Sequence, residues 1–148
     1  MKKITLLITG GMGLLGYSMV KYFEKKKNIK KIISIDKRNI NFLKIKSKKV
    51  TYFKIDINNP KKLILLLKKE KIDVIFHTAA VTQVLDGLRD PKKCYATNIL
   101  GTTNLLEAVR RSKKKIIFIF SSSDKAYGKL KTNNMYFEND KLLGDFTY

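Results

Sequence analysis

The stretch "ITLLITGGMGLLG", Ile4 to Gly16, decides the fold. A short apolar run, Ile4–Thr9, is followed by Gly10, Gly13 and Gly16 and then by a helical pattern of apolar residues. Gly10 permits a tight turn, Gly13 lets a phosphate group approach the backbone, and Gly16 lets the helix pack closely against the strand. The stretch therefore predicts a buried strand, a glycine turn and a helix whose N-terminus faces an anion.

Apolar runs of the same kind recur along the chain and alternate with helical patterns. The four further runs are Lys31–Asp36, Val50–Asp56, Val74–Ala80 and Lys115–Ser121. Strands that are apolar on both faces and alternate with helices are typical of a parallel sheet covered on both sides. Right-handed crossovers then give an α/β, doubly wound fold, in which ligands bind beyond the carboxyl ends of the strands.

Two of the predicted helices have the same start signal and an apolar stripe. Asn59 and Asp90 each precede a proline, which predicts a side-chain cap with proline in the first helical turn. The helix after Asp90 has a stripe that predicts its buried face, consisting of Tyr95, Ile99, Thr102, Leu106 and Val109. The corresponding stripe of the first helix of the chain consists of Leu15, Met19, Tyr22 and Phe23.

Acidic residues end the second and third apolar runs. Asp36 lies 20 residues beyond Gly16, where a carboxylate can bind the adenosine ribose hydroxyls of a dinucleotide. The alternative is a glycine turn with a strand-end Asp that serves the fold alone. A carboxylate at this position repels a 2′-phosphate and favours NAD over NADP, although Lys37 and Arg38 follow directly and soften that choice. Asp56 either accepts from the adenine amine or caps the turn before the next helix.

The composition excludes several classes of protein. The net charge is +20, but only four of the 32 basic residues are Arg, and no aromatic residues interleave with the lysines to stack on bases. We therefore interpret the charge as a solvated basic surface and expect no nucleic-acid partner. No apolar run approaches the roughly 20 residues that span a membrane. Cys94, the single cysteine, excludes an internal disulfide and is compatible with the cytoplasmic location that we expect.

Five motifs, in order along the chain, resemble one known family. They are "TGGMGLLG", "KIDI", "FHTAA", "YATNILGTTNLLEA" and "FSSSDKAYG". Together they resemble the extended short-chain dehydrogenase/reductases, which are NAD-dependent epimerases and dehydratases of nucleotide sugars. The last two motifs look most like the sugar-nucleotide 4,6-dehydratases of the CDP-glucose type. The resemblance implies an NAD-binding Rossmann domain over residues 1–148 that lacks its C-terminal strands and substrate domain, and a homodimer in the full-length form.

The resemblance also implies the residues of the cofactor site, and it implies no metal. The site would consist of Gly10, Met12, Gly13, Leu14, Leu15, Gly16, Asp36, Lys37, Asp56, Ile57, Thr78, Ala79, Ala80, Asn98 and Ser121. Asn98 would lie on a helix and support the active site. An asparagine in the core whose side chain forms hydrogen bonds with backbone groups is compatible with that role. We interpret His77 as a strand-end histidine without metal partners.

The motif "FSSSDKAYG" implies the catalytic residues. By resemblance, Ser123 would hydrogen-bond the sugar 4-hydroxyl, and a tyrosine would remove its proton while hydride passes to NAD⁺. This tyrosine is assigned to Tyr148, with Tyr127 and Tyr136 as alternatives. For a 4,6-dehydratase, Asp124 would be the acid and Lys125 the base that together eliminate water across C5 and C6. The alternative is a solvated Asp–Lys pair in a surface turn.

The sequence stops at Tyr148, before the lysine that follows the catalytic tyrosine by four residues in this family. We therefore expect the chain alone to bind NAD weakly or not at all, to show no turnover and to be poorly soluble. Two other functions remain open: a nucleotide-sugar 4-epimerase or reductase of the same family, and a basic NAD-binding module without catalysis.

Overall fold

The computed structural model describes residues 3–38, 45–128 and 135–144. Within them, the helices and strands in chain order are β1 Ile4–Thr9, α1 Leu14–Glu24, β2 Ile29–Asp36, β3 Val50–Lys54, α2 Pro60–Lys69, β4 Val74–His77, α3 Val84–Arg89, α4 Pro91–Tyr95, α5 Gly101–Ser112 and β5 Ile117–Phe120. A π-helical turn, Ala96–Leu100, joins α4 to α5, and a 3₁₀ turn, Asp124–Tyr127, follows β5.

The sheet has the strand order β3-β2-β1-β4-β5, and every neighbouring pair is parallel. The chain moves outward from β1 through β2 and β3, then returns to add β4 and β5 on the other side. The order therefore reverses between β1 and β4, which is where doubly wound sheets bind their ligands. The predicted α/β, doubly wound parallel sheet is confirmed.

Alternate residues of the central strands point to opposite faces of the sheet, and helices cover both faces. One face packs against α2 and α5 and includes Leu7 and Leu105. The other packs against α1 and includes Leu6, Ile8 and Val20. All five side chains are at most 2% exposed, so burial on both faces explains the continuous apolar runs in the sequence.

The strands end earlier than their apolar runs predicted. β4 ends at His77 rather than Ala80, because the backbone N–H groups of Thr78 and Ala79 donate to the Thr9 side chain instead of to a neighbouring strand. β3 likewise ends two residues before the predicted run does. The residues beyond both strands thus leave the sheet at its carboxyl edge and become available to line a site.

Both predicted helix starts are confirmed. The Asn59 side chain accepts from the backbone N–H of Lys62 at 3.0 Å, and Asp90 accepts from that of Lys93 at 2.9 Å. Each helix has proline in its first turn, where a missing N–H costs nothing.

The predicted buried stripe of the helix after Asp90 is right in part, since Val109 packs against the core but three other members are exposed. Tyr95, Ile99 and Leu106 are 46%, 54% and 46% exposed. The buried residues are instead Cys94, Thr97, Gly101, Leu105 and Ala108. Most of these side chains are small because the helix lies close to the loop after β3. A Cβ on Gly101 would stand 2.5 Å from the Ile57 side chain.

The predicted stripe of α1 is right in part. Met19 and Phe23 pack against the core, whereas Leu15 and Tyr22 are 49% and 57% exposed. The two remaining buried positions of this helix belong to Gly16 and Val20. The helix thus comes closest to the preceding turn at a glycine, Gly16. A pattern of large apolar residues does not predict such a position.

Candidate active site

A cleft of about 1020 Å³ opens at the carboxyl edge of the sheet. It brings together every predicted cofactor residue except Met12, and the ones that line it are Gly10, Gly13, Leu14, Leu15, Gly16, Asp36, Lys37, Asp56, Ile57, Thr78, Ala79, Ala80, Asn98 and Ser121. Of the predicted catalytic residues, Ser123 and Asp124 line the cleft, and Lys125 contacts Asp124 from outside the lining. Tyr148 lies outside the described residues.

The glycine turn forms one wall of the cleft. Gly10 has a φ of 65°, and a Cβ there would stand 2.8 Å from the Ala79 backbone. A Cβ on Gly16 would collide with the carbonyl oxygen of Gly10, so both positions require glycine. The first N–H groups of α1, at Leu14 and Leu15, have no partner within the helix and border the cleft. This wall can therefore receive an anion such as a pyrophosphate.

Asp36 closes the β2 end of the cleft with a buried carboxylate. Its Oδ2 accepts from the backbone N–H of Met12 at 3.0 Å, and its two oxygens accept from the Arg38 guanidinium at 3.1 and 3.2 Å. Burial raises the pKa of Asp36, but the hydrogen bonds from Arg38 and Met12 outweigh burial and hold the pKa below its ordinary value. Met12 thus supports the carboxylate from behind rather than lining the cleft, and Arg38 is a lining residue that the predicted set left out.

Asp56 shows the turn-capping contact that was one of its two predicted roles. Its Oδ1 accepts from the backbone N–H of Asn58 at 2.9 Å. The carboxylate also borders the cleft, so a contact with an adenine amine stays a prediction. The next residue, Ile57, is held in place because its carbonyl oxygen accepts from the Asn104 side chain at 3.2 Å.

Asn98 braces the loop that follows β4. Its Oδ1 accepts from the backbone N–H of Val81 at 2.8 Å, and its Nδ2 donates to the Val81 carbonyl at 3.0 Å. Asn98 lies in the π-helical turn between α4 and α5, where the N–H of Gly101 donates to the carbonyl of Ala96. Such turns occur often at functional sites, but no pattern in the sequence predicts this one.

His77 is buried at the end of β4, and burial lowers its pKa to about 4. Its two ring nitrogens lie within hydrogen-bonding distance of Thr9 and Thr102, two residues that the sequence did not single out as site residues. Within residues 3–38, 45–128 and 135–144, no group of three or more His, Cys, Asp or Glu is placed to hold a metal ion. No helix in the described part of the chain is both long enough and apolar enough to cross a membrane.

The residues after β5 form the exposed end of the cleft. The Ser123 hydroxyl donates to Asp124 Oδ1 at 3.2 Å and accepts from the backbone N–H of Lys125 at 3.2 Å, while Lys125 Nζ lies 2.9 Å from Asp124 Oδ2. The hydrogen bond from Lys125, helped by the one from Ser123, lowers the pKa of Asp124 despite a small opposing effect of desolvation. The pair is therefore a carboxylate and an ammonium here, and the acid role predicted for Asp124 requires a change of protonation.

The model of the NAD dependent epimerase/dehydratase family matches residues 6–146. The chain belongs to this family. Its relatives include the dTDP-D-glucose 4,6-dehydratase of Dictyostelium discoideum, 39% identical over 129 residues, which are 83% of this chain and 30% of the relative. They also include the UDP-glucose 4-epimerase of Mycoplasma genitalium, 33% identical over 144 residues, which are 95% of this chain and 42% of the relative.

Among solved structures, the UDP-Glc/GlcNAc 4-epimerase of Campylobacter jejuni superposes with a TM-score of 0.88 at 27% identity, over 98% of this chain and 44% of that one. The chain thus spans less than half the length of the family members it matches. Both a dehydratase and epimerases are similar to it, so the comparisons establish the family and leave the reaction open.

Proposed function

We propose that this chain is the NAD-binding Rossmann domain of a nucleotide-sugar epimerase/dehydratase, and that the longer protein carries further strands and a substrate domain. One observation carries the proposal: a single cleft joins the glycine turn, the ionised Asp36 and the serines after β5. An exposed edge strand supports the second part, since Ile117, Ile119 and Phe120 of β5 are 60%, 42% and 52% exposed.

NAD fits the residues of this cleft. Asp36 would bind the adenosine ribose, and the N–H groups at the start of α1 would bind the pyrophosphate. Thr78–Ala80 would line the dinucleotide site, and Ser121 would lie near the nicotinamide. When bound, NAD⁺ supplies the hydride acceptor for the sugar C4. A change in the amide NMR spectrum of the 148-residue chain on titration with millimolar NAD, centred on Gly10–Gly16 and Thr78–Ala80, tests this. Changes confined to other surfaces would contradict it.

We propose NAD rather than NADP as the cofactor, with a preference that Arg38 weakens. The guanidinium already pairs with the carboxylate that would repel a 2′-phosphate. Arg38→Ala removes the cation that partly neutralises the Asp36 carboxylate. The ratio of NAD to NADP affinity should then rise by roughly fivefold, as expected for a half-exposed ion pair. Lys61→Met, a surface change on α2, is the control, because Lys61 does not line the cleft. Parallel titrations with the two dinucleotides measure the ratio, and an unchanged or lower ratio in Arg38→Ala would contradict this assignment.

We propose 4,6-dehydration as the reaction of the longer protein, with 4-epimerisation as the alternative. The supporting feature is an ionisable pair directly after Ser123, since an epimerase needs no acid and base at those positions. Ser123 would bind the sugar 4-hydroxyl, and Tyr148 would take its proton. The contact of 2.9 Å between Lys125 and Asp124 also permits proton transfer. Exclusion of water disfavours a charged pair and favours the acid Asp124 and the base Lys125.

The test starts with the DNA beyond the Tyr148 codon, where we expect three residues and then a lysine. The longer protein, incubated with dTDP-glucose or UDP-glucose, should form a 4-keto-6-deoxy product, and Asp124→Asn should abolish it. Lys61→Met, a surface change on α2, is the control. A C4-inverted sugar whose formation ignores Asp124→Asn would instead establish the epimerase.

We further propose that the longer protein is a cytoplasmic homodimer. Support comes from the apolar side chains of Tyr95, Ile99 and Leu106, which are about half exposed along the helix after Asp90. Sedimentation of the longer protein tests this. Ile99→Lys should produce monomers, whereas Lys61→Met should leave the dimer intact.

A further inference from the structure

His77, the only histidine in the sequence, joins three elements behind the cleft. It is 1% exposed at the end of β4, and the rings of Phe118 and Phe120 from β5 lie beside it. Its Nδ1 lies 2.6 Å from Thr9 Oγ1 at the end of β1, and its Nε2 lies 2.9 Å from Thr102 Oγ1 of α5. The imidazole, which belongs to the last residue of β4, therefore bridges β1 and α5.

The hydrogen bonds of Thr102 fix the direction of the contact on the helix side. A hydroxyl has one proton to donate, and Thr102 Oγ1 donates it to the carbonyl oxygen of Asn98 at 2.7 Å. The same oxygen must then accept from His77 Nε2–H. Since burial disfavours the doubly protonated ring, Nδ1 carries no proton and is an acceptor.

The contact on the strand side follows from this tautomer. Thr9 donates its hydroxyl proton to His77 Nδ1. With its proton committed, Thr9 Oγ1 accepts from the backbone N–H groups of Thr78 and Ala79 at 3.2 and 3.1 Å. One directed series of hydrogen bonds thus runs from these two N–H groups through Thr9 and the imidazole into α5.

Both ends of this series act on the same segment, Thr78–Val81. Thr9 holds the N–H groups at its start, and the Asn98 side chain holds the N–H and carbonyl of Val81 at its end. The carbonyl of Asn98 accepts from Thr102, so the imidazole lies between the two supports. Three residues of this segment, Thr78–Ala80, line the cleft where we propose the dinucleotide.

We propose that His77 is a positioning residue that sets the backbone of Thr78–Val81 for the dinucleotide, through Thr9 on one side and through Thr102 and Asn98 on the other. This inference rests on the proposed NAD site. A residue that merely filled the core could be any ring of similar size. The structure requires an acceptor on one side of the ring and a donor on the other.

The tautomer can be measured without any ligand. Because the chain has one histidine, a long-range ¹H–¹⁵N spectrum of the labelled 148-residue chain contains one imidazole at neutral pH. The expected result is a proton on Nε2 and the shift of an acceptor nitrogen at Nδ1. A proton on Nδ1, or a ring that exchanges freely between tautomers, would overturn the proposal.

Three variants separate the two sides of the ring. His77→Asn keeps an acceptor near the Nδ1 position, His77→Gln keeps a donor near the Nε2 position, and His77→Phe keeps only the ring. His77→Phe should weaken NAD binding by about tenfold, and His77→Asn and His77→Gln by less, as expected for lost hydrogen bonds of ordinary strength. His77→Asn should preserve the amide shifts of Thr78 and Ala79, whereas His77→Gln should preserve that of Val81.

The outcomes are distinguishable from failure of the NAD site itself. If the longer protein binds no NAD, the cofactor proposal fails, while the tautomer and the amide shifts of the 148-residue chain still test the bridge. If His77→Phe does not fold, Thr9→Val and Thr102→Val break the series on one side each with little change in volume. The proposal would be overturned if His77→Phe folds, binds NAD as the parent chain does, and keeps the parent amide shifts at Thr78, Ala79 and Val81.

Discussion

The two ends of the cleft are built in opposite ways. At the dinucleotide end, side-chain hydrogen bonds join residues far apart in the chain, such as Asp36 with Met12, 24 positions away, and Thr9 with Ala79, 70 positions away. At the end after β5, where we propose the catalytic residues, the side-chain hydrogen bonds of Ser123 and Asp124 within the described residues reach no further than two positions. The Asp36 side chain is 6% exposed and the Asp124 side chain 57% exposed.

This difference indicates when each end acquires its geometry. Buried hydrogen bonds between distant segments form only with the fold, so the dinucleotide end is preorganised as soon as the sheet and helices pack. Bonds within an exposed turn compete with water and leave the side chains free to rearrange. We infer that the residues after β5 take their final arrangement only when other groups cover them. The predictions below test this contrast.

The largest expected effect is a loss of stability in mild acid caused by His77. Its hydrogen-bond partners are hydroxyls and its ring neighbours are Phe118 and Phe120, so burial lowers its pKa from 6.5 to about 4. Between these values the unfolded chain binds more protons than the folded chain, so stability falls as the pH falls. The free energy of unfolding should drop by about 3 kcal/mol over this window.

Urea unfolding of the 148-residue chain at a series of pH values measures this drop. Most of the drop in the free energy of unfolding should occur above pH 4.5, the ordinary pKa of Glu107. The lowered pKa of Glu107 also stabilises the fold, but that stabilisation is lost only below pH 4.5. His77→Asn, which has no ring to protonate, is the control and should flatten the curve between pH 6.5 and 4.5. A parent curve that is already flat there would show that the histidine is not buried in neutral form.

The next effect compares two glycines of the same turn. A Cβ on Gly16 meets the Gly10 carbonyl and the Gly11 backbone, neither of which can move without breaking the turn. A Cβ on Gly13 has its nearest neighbour at 3.1 Å. Gly16→Ala should therefore lose roughly 1–3 kcal/mol of stability, the usual cost of overpacking, and Gly13→Ala should lose less. Thermal or urea unfolding checks the order, and equal losses would contradict it.

The dinucleotide end could be predicted from the sequence because its features are tied to the strands. Apolar runs locate the strand ends, and the carboxyl ends of parallel strands meet at one edge. Glycine spacing and an acid 20 residues further on then identified a wall of the cleft. The partners of these residues could not be predicted. The pairing of Arg38 with Asp36 and the bridge made by His77 depend on side-chain directions that only packing determines.

The helix after Asp90 shows where sequence patterns mislead. Tyr95, Ile99 and Leu106 were predicted to face the core, but they lie on the exposed side. The buried face is formed largely by small residues at Thr97, Gly101 and Ala108. Close approach of the helix to the Ile57 loop selects small side chains, which carry little signal in a hydrophobic pattern. The π-helical turn shifts the helical register, and no residue type marks its position in advance.

The smallest expected effect sets the two ends of the cleft against each other with one chemical change. Asp36→Asn removes a buried acceptor of the Arg38 guanidinium and should cost about 1–2 kcal/mol of stability, as for hydrogen bonds to charged groups. Asp124→Asn makes the same change in an exposed turn and should leave the stability almost unchanged. Urea unfolding at pH 7 compares the two variants with the parent chain. A loss of stability in Asp124→Asn as large as that in Asp36→Asn would contradict this contrast. The turn after β5 would then be as well ordered as the glycine turn, and it would need no covering groups to order it.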